Sequence, residues 1–441
     1  MDTSTHIEQQ LASNDTINGK TLSDSELTRL NKLNDLFTHT SMGGKHVIVS
    51  RGYDGRNSQT YQFENLPEFK NRFLHEPPIA GLNAGDAWLK WHAKNYCEDG
   101  VVFCPDKTKC LDSQFNLYRG FVKTPKQGDV SLFLDHITNV ICNGDVRSSN
   151  YVLQFFAHLL QKPDEKPSVA IVMKSVEGTG KGALMTPLME ILGEYGIQTN
   201  GSNLVTGRFN STLANKLLVF ADEVDLTERK TADKLKALIS ETTMNIERKG
   251  IDPVPVANYG RFIFASNMER VLNAGSRERR YLVLEPNPAL AQNKDYFDNY
   301  FAWVKHGGAA YLMEYLLNLD ISEFNPRQAP VTEALIEEKL NNLSIPMAFM
   351  YEELQKDAPF RGYARATPQD LINMLSDFAA LRGEKPSIET WRSSLGKMMQ
   401  TLDIQSVGRR GRDLHYNLCN IDNVRASFAA KLGHKPEELF S

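Results

Sequence analysis

The chain has 441 residues, of which 41% are apolar and 24% charged, values typical of a globular protein with two or three domains. A formal net charge of −4 excludes a globally basic protein, so any surface that binds nucleic acid must be local. No apolar run approaches the ~20 residues that cross a bilayer, and the odd count of five cysteines fits a reducing compartment.

The first 130 residues divide by composition into two segments. Residues 1–27 are rich in Ser, Thr, Asn, Asp and Gln, which predicts a flexible polar arm or a short exposed helix. Residues 28–130 mix helical and strand-like patterns and form a predicted α/β region, in which Gly43-Gly44 is a turn. Trp88 and Trp91 lie three residues apart, so we expect them to pack on one face of a helix.

Residues 131–165 are predicted to be helical. Apolar side chains recur there at helical spacing, together with His136, and Pro163 and Pro167 end the pattern. The next apolar run, residues 168–173, predicts a buried strand that opens a domain spanning residues 166–325.

A glycine-rich loop follows that strand and precedes a helical pattern, which is the context of a phosphate-binding loop. The residues predicted to hold the nucleotide are Glu177, Gly178, Thr179, Gly180, Lys181, Gly182 and Ala183. Glycines let backbone N–H groups approach phosphate oxygens, and Lys181 would reach the β- and γ-phosphates. Gly182 stands where Ser or Thr is usual, so a water, Thr179 or a downstream carboxylate must contact Mg²⁺. An ordinary strand-to-helix turn is the alternative.

Two further apolar runs end in polar side chains suited to ATP hydrolysis. The first ends at Asp222-Glu223, where Asp222 would organise Mg²⁺ and Glu223 would polarise the attacking water. The second ends at Asn267, whose amide could orient that water. Arg279 and Arg280 precede another strand-like run and could neutralise charge during phosphoryl transfer, often from a neighbouring subunit. A solvated basic loop is their alternative.

The remainder of the domain contains a predicted hairpin over residues 244–256, with Arg248 and Lys249 close to its turn. A later helix carries aromatic residues that we expect to pack in the core; they are Phe297, Tyr300, Phe301 and Trp303. Residues 324–330 form the clearest linker.

Residues 331–441 are predicted to form a C-terminal domain resembling a winged helix, with two helices followed by a β-ribbon. Thr367 is the expected N-cap of the first of these helices. The tip of the ribbon carries Arg409, Arg410 and Arg412, which would contact DNA phosphates. A basic turn on a packing domain is the alternative.

The order of these motifs resembles that of the superfamily 3 helicases, which are AAA+-like motors of viruses, phages and plasmids. The residues that carry the resemblance are Gly178-Thr-Gly-Lys-Gly182, Gly207-Arg-Phe-Asn210, Phe220-Ala-Asp-Glu223, Ile246-Glu-Arg-Lys-Gly250, Ala265-Ser-Asn267 and Glu278-Arg-Arg280. The phage and prophage primase–helicase proteins, a branch related to the poxvirus primase–helicase, are the most similar. Their loop commonly ends in Gly-Lys-Gly, as it does here.

The resemblance implies an α/β fold of the AAA+ type, with a central parallel sheet, a helical collar over residues 131–165 and ATP and Mg²⁺ as cofactors. It also implies a hexamer in the cytoplasm of a bacterial host, with no membrane partner. Lys249, and less so Arg248, would grip single-stranded DNA, with solvated side chains as the alternative, and forked DNA would be unwound with 3′-to-5′ travel. Because residues 51–150 lack the clustered acidic residues of a primase active site, a primase would be a separate partner. The alternatives are an initiator that melts an origin and a DNA-binding module whose assembly ATP controls.

Overall fold

The computed structural model describes residues 15–53, 59–201, 210–248, 251–275, 278–408 and 414–440. The chain forms two compact units, residues 1–120 and 121–441. The sequence prediction placed the end of the N-terminal region at residue 130, ten residues later. Within the described ranges, no helix is both long and apolar enough to cross a membrane.

The first unit is built on a three-stranded antiparallel sheet. Its elements are β1 (Thr16–Ile17), β2 (Lys20–Thr21), α1 (Asp24–Leu36), β3 (Phe37–Met42), β4 (Lys45–Tyr53), β5 (Gln59–Asn65), α2 (Leu66–Asn71), α3 (Ala84–Lys90), β6 (Val101–Val102) and β7 (Phe115–Asn116). Strands β3, β4 and β5 pair in that order. The turn expected at Gly43-Gly44 joins β3 to β4, and Trp88 and Trp91 are both buried, as predicted.

The described part of the predicted polar arm, residues 15–27, forms a hairpin and the first turn of a helix, so its interpretation as a flexible segment is wrong, and the helical alternative applies only from Asp24 onwards. Strands β1 and β2 form a short hairpin, and Ile17 and Leu22 are buried in the core of this unit. Helix α1 begins after Ser23, whose side chain forms a capping box with Glu26. The burial of Ile17 and Leu22 and the helix cap at Ser23 therefore stabilise a folded structure in this segment despite its polar composition.

The second unit contains the parallel sheet. Its elements are α4 (Ser131–Asp135), a π-helix (His136–Ile141), α5 (Val146–Gln161), β8 (Ala170–Lys174), α6 (Lys181–Leu192), β9 (Gly196–Asn200), β10 (Leu218–Asp222), α7 (Arg229–Ser240), β11 (Thr243–Arg248), β12 (Ile251–Ala257), β13 (Arg261–Ser266), β14 (Tyr281–Leu284), α8 (Lys294–Trp303), a second π-helix (Val304–Gly308) and α9 (Ala309–Asn318). The five strands lie in the order β14-β8-β13-β10-β9, and all neighbours are parallel.

This strand order places β13 between β8 and β10. All three strands run in the same direction, so their carboxyl ends meet at one edge, where ligand sites of open parallel sheets lie. The apolar runs predicted as buried strands are buried on both faces, which a parallel sheet requires.

The C-terminal part of the second unit has the predicted helices and ribbon. Its elements are α10 (Glu333–Asn341), α11 (Ile345–Gln355), β15 (Arg365–Ala366), α12 (Pro368–Leu381), α13 (Ile388–Thr401), β16 (Ser406–Val407), β17 (His415–Asn417), α14 (Ile421–Leu432) and α15 (Pro436–Leu439). Strand β17 lies between β15 and β16. Thr367 caps α12 in a capping box with Asp370, which confirms the predicted start of this helix.

Candidate functional site

The loop between β8 and α6 has a backbone that requires glycine. Gly178 and Gly180 have φ angles of 77° and 91°, in the left-handed region that other residues rarely occupy. A β-carbon on Gly180 would lie 2.5 Å from the Cε1 atom of His136, so that position is also too close-packed for a side chain. A β-carbon on Gly182, by contrast, would meet open space. Gly180 is therefore required both by its backbone conformation and by close packing against His136.

The ammonium group of Lys181 lies inside the loop. Its Nζ atom donates to the carbonyl oxygens of Ser175 and Val176, at 2.8 and 3.1 Å, and to Oδ1 of Asn267 at 2.7 Å. Burial lowers the pKa of Lys181, while the negative charges of Asp222 and Glu177 oppose that shift. The Lys181 ammonium group therefore interacts both with the loop backbone and with the negative charge of Asp222.

Asp222 is the last residue of β10, and Glu223 follows it directly. Asp222 is half-buried and Glu223 is exposed. The backbone N–H of Glu223 donates to Oδ1 of Asp222 at 3.0 Å, and Glu223 has a φ of 54°. A left-handed conformation costs a non-glycine residue on the order of 1 kcal/mol, and such strain concentrates at functional sites.

Asn267 reaches the loop because of the strand order. Strand β13 ends at Ser266, whose carbonyl oxygen accepts a hydrogen bond of 3.1 Å from the backbone N–H of Ser175. On its other side, the carbonyl oxygen of Ala265 accepts from Val224. The neighbouring strand ends therefore hold Asn267 between the loop and the carboxylates.

A cavity of about 330 Å³ opens where these elements meet. The residues that line it are Glu177, Gly178, Thr179, Gly180, Lys181, Gly182, Ala183, Asp222, Glu223, Asn267, Phe297 and Phe301. The structure thus brings together all seven loop residues predicted to bind nucleotide with Asp222, Glu223 and Asn267. A phosphate chain could lie at the loop and the N-terminus of α6, with a cation at the carboxylates.

Two lining residues, Phe297 and Phe301, were expected only to pack in the core. Tyr300 on the same helix is fully buried, as expected, but Phe301 is 43% exposed and faces the cavity. The spacing of four residues places the two phenylalanines on one face of α8. That spacing is visible in the sequence, but the partner of this face is not.

His136 is a further residue at this site whose role the sequence did not indicate. It is fully buried; its Nε2 lies 3.1 Å from the carbonyl oxygen of Gly180 and its Nδ1 lies 2.9 Å from the hydroxyl of Tyr296. Burial lowers the pKa of His136 to about 4, so the ring is neutral. Because a carbonyl only accepts, the assigned tautomer has Nε2–H donating to Gly180 and Nδ1 accepting from Tyr296.

Thr179 does not present its hydroxyl to a metal ion. The residue is 1% exposed, and its Oγ1 lies 2.7 Å from Oγ of Ser175 and donates to the carbonyl oxygen of Val176 at 3.2 Å. Of the three replacements considered for the usual loop hydroxyl, Thr179 is therefore disfavoured. Asp222 and water remain.

Arg279 and Arg280 lie at the amino ends of the strands, opposite the carboxyl ends where the cavity is. The carbonyl oxygen of Arg280 accepts from the N–H of Ala170, at the amino end of β8, so the length of that strand, roughly 13 Å, separates it from the loop. The Arg280 guanidinium donates to Oγ of Ser240 at 2.9 Å and contacts Glu278 at 3.4 Å. Neither arginine lines the cavity of its own chain.

The predicted hairpin is present as β11 and β12, in which Ile246 pairs with Val254. Lys249 lies outside the described residues, as do Arg208 at the preceding motif and the ribbon residues Arg409, Arg410 and Arg412. The strand position of Arg248 is described, but its side chain is not. The predicted DNA contacts therefore stay predictions.

Comparison with known proteins finds one matching protein family and one similar phage protein. Residues 173–280, which include the loop, Asp222 and Asn267, match a protein family of unknown function, DUF5906. Over 154 residues the chain is 30% identical to the DNA primase-polymerase of Nitratiruptor phage NrS-1. The chain is related to a phage primase-polymerase. The matched stretch is 34% of this chain and 21% of that protein.

The fold is also that of a solved part of the NrS-1 protein. The apo structure of the NrS-1 C-terminal region superposes with a TM-score of 0.67 over 90% of this chain and 99% of that one. A second apo form gives a TM-score of 0.66 over 88% of this chain and 97% of that one. The sequence identity is 16% in both comparisons, so these matches show a shared fold.

Proposed function

We propose that this chain is the ATP-driven motor of a phage-type DNA replication system, an AAA+-like helicase of superfamily 3. The observation that carries the proposal is the cavity in which Lys181, Asp222, Glu223 and Asn267 meet. These four side chains come from three separate sequence motifs, since Asp222 and Glu223 are consecutive. An ordinary strand-to-helix turn would not require the other three at the same place.

The residues suit ATP and Mg²⁺. Backbone N–H groups of the loop and Lys181 would bind the phosphates, and Asp222 would hold Mg²⁺ through oxygen. The metal, when bound, neutralises charge on the phosphate oxygens. Glu223 would accept a proton from the attacking water, and Asn267 would orient that water towards the γ-phosphate.

A ring of subunits would complete the site. Arg280 lies at the sheet edge remote from its own cavity, so it could act only on the nucleotide of another subunit. A hexamer would place an Arg280 opposite each phosphate loop, and the helices of residues 131–165 would serve as its collar. Lys249, which follows β11 in the sequence, would contact single-stranded DNA, and the C-terminal ribbon would contact duplex DNA.

The relationship to a phage primase-polymerase supports a role in DNA replication. The matched stretch covers about a fifth of that protein, so the proposal for this chain is limited to the motor; primer synthesis would come from a partner or from sequence beyond the matched stretch.

Unwinding of forked DNA tests the proposal. Forks with a 3′ or a 5′ tail are incubated with ATP and Mg²⁺, and ATPase activity is measured with and without single-stranded DNA. We expect DNA-stimulated hydrolysis and unwinding of the 3′-tailed fork. Origin melting without processive unwinding would instead favour the initiator, and nucleotide binding without hydrolysis would favour the ATP-controlled binding module.

A further inference from the structure

One helix contributes an aromatic wall to the cavity. Phe297 and Phe301 lie one helical turn apart on α8, with ring centroids 6.5 Å apart and an angle of 32° between the rings. Phe301 exposes 43% of its surface, although its neighbour Tyr300 is fully buried. A large aromatic ring left exposed inside a cavity is suited to being covered by a flat ligand.

This wall begins at the phosphate loop. A β-carbon on Gly180 would lie 3.0 Å from Cε1 of Phe297, so the ring edge packs directly on the loop backbone. The rings of Phe297 and His136 also meet in a T-shaped contact, and His136 hydrogen-bonds to the same glycine. A nucleotide whose phosphates lie on the loop could therefore extend along α8 without leaving the cavity.

The lining residues divide by chemistry. Those with side-chain hydrogen-bonding groups are Glu177, Thr179, Lys181, Asp222, Glu223 and Asn267, and they all belong to the loop or the strand ends. Helix α8 contributes only the two phenylalanines to the described lining. Stacking on an aromatic ring accepts every base, since each base has a π face, whereas hydrogen bonds to base edges would discriminate.

We infer that Phe297 and Phe301 form a stacking subsite for the nucleobase of the bound nucleoside triphosphate, and that selectivity among bases is consequently low. This inference rests on the proposed nucleotide site. It adds that GTP should serve nearly as well as ATP, and that purines, with the larger π face, should bind more tightly than pyrimidines.

Calorimetric titration of the full chain with ATP, GTP, CTP and inorganic tripolyphosphate tests this inference. We expect ATP and GTP to bind within about tenfold of each other. Phe301→Ala should weaken ATP binding by about 5- to 100-fold and leave tripolyphosphate binding unchanged, because only the stacking contact is lost. Phe301→Tyr should restore ATP binding, and Phe301→Leu, which keeps apolar bulk, should not.

Tyr363→Ala is the matched control, since Tyr363 is a 48% exposed aromatic residue outside the cavity. Unchanged ATP affinity in both Phe301→Ala and Phe297→Ala would overturn the subsite, as would a preference of ATP over GTP above about 100-fold. Failure of the wild type to bind either ATP or tripolyphosphate would instead refute the proposed nucleotide site itself.

Discussion

The ammonium group of Lys181 donates a 2.7 Å hydrogen bond to the side-chain oxygen of Asn267, 86 residues further along the chain. The same ammonium group is held by the carbonyl oxygens of Ser175 and Val176. A bound phosphate would have to replace these partners. Movement of Lys181 towards phosphate would then release Asn267, so the loop and the end of β13 should respond to nucleotide together.

Lys181→Ala should weaken ATP·Mg²⁺ binding by about 100-fold, because it removes a charge-assisted contact to phosphate. Titration calorimetry measures the dissociation constant. Lys32→Ala, an exposed lysine of α1, is the control and should bind as the wild type does. Near-normal ATPase activity in Lys181→Ala would show that the loop does not bind phosphate.

The two carboxylates should separate binding from hydrolysis. Glu223→Gln should bind ATP with near-normal affinity but hydrolyse it at least about 100-fold more slowly, because an amide is a poor base. Asp222→Ala should instead lose the Mg²⁺ dependence of binding. Binding is measured with and without Mg²⁺, and hydrolysis by phosphate release. Equal, mild effects of both substitutions would refute the assigned roles.

Arg280 should act only between subunits. Arg280→Ala should lower the ATPase rate by about 1000-fold, and mixing it with inactive Lys181→Ala should restore part of the activity, since a mixed interface can pair an intact loop with an intact arginine. Wild-type activity per subunit should rise with protein concentration.

Ser240→Ala is the control for Arg280, because it removes an intrachain partner of the guanidinium but keeps the charge. It should retain most activity. A monomer with concentration-independent ATPase activity in the presence of DNA would contradict the in-trans role and would favour the initiator function.

Acid should destabilise the second unit through His136. Burial lowers its folded pKa to about 4 from an ordinary 6.5, against opposing effects of the Gly180 hydrogen bond and Asp135. The unfolded state therefore binds more protons between these values, and stability present above pH 6.5 is lost as the pH falls towards 4. For this group alone, the free energy of unfolding should drop by roughly 2 kcal/mol between pH 7 and pH 5.

Urea denaturation at both pH values measures this loss. Burial lowers the pKa of His158 to about 3 as well, so the contribution of His136 is isolated by His136→Gln, whose amide can still donate to Gly180. This variant should show a smaller pH dependence. His306→Gln, at an exposed histidine, should leave it unchanged. An identical pH dependence in all three proteins would contradict the neutral, buried state of His136.

The hairpin lysine should act on DNA alone. Lys249→Ala should leave basal ATPase activity intact but reduce its stimulation by DNA, equally for every sequence, because the lost contact is to phosphate. The slope of log affinity against log salt should fall by about one unit. Lys45→Ala, at the exposed β3–β4 turn, is the matched control. Loss of basal hydrolysis would place Lys249 at the nucleotide instead.

The sequence alone determined which residues form the polar part of the cavity. Asp222 and Asn267 stand at the ends of buried apolar runs, and Lys181 follows such a run after the short glycine-rich loop, so these relations are local in sequence. Parallel strands align their carboxyl ends, so these side chains had to meet at one edge of the sheet. The cap at Thr367 was equally readable, because its hydrogen bonds span only three residues.

Only the tertiary structure decided which distant segments complete the site. His136 meets Gly180 across 44 residues, and Phe301 faces the cavity although its periodicity equals that of a core residue. The position of Arg280 depends on the pairing of β14 with β8. Residues 15–27 fold because Ile17 and Leu22 pack into the hydrophobic core of the first unit. A periodic pattern specifies that a face is covered, whereas the covering partner is selected by packing between segments far apart in the chain.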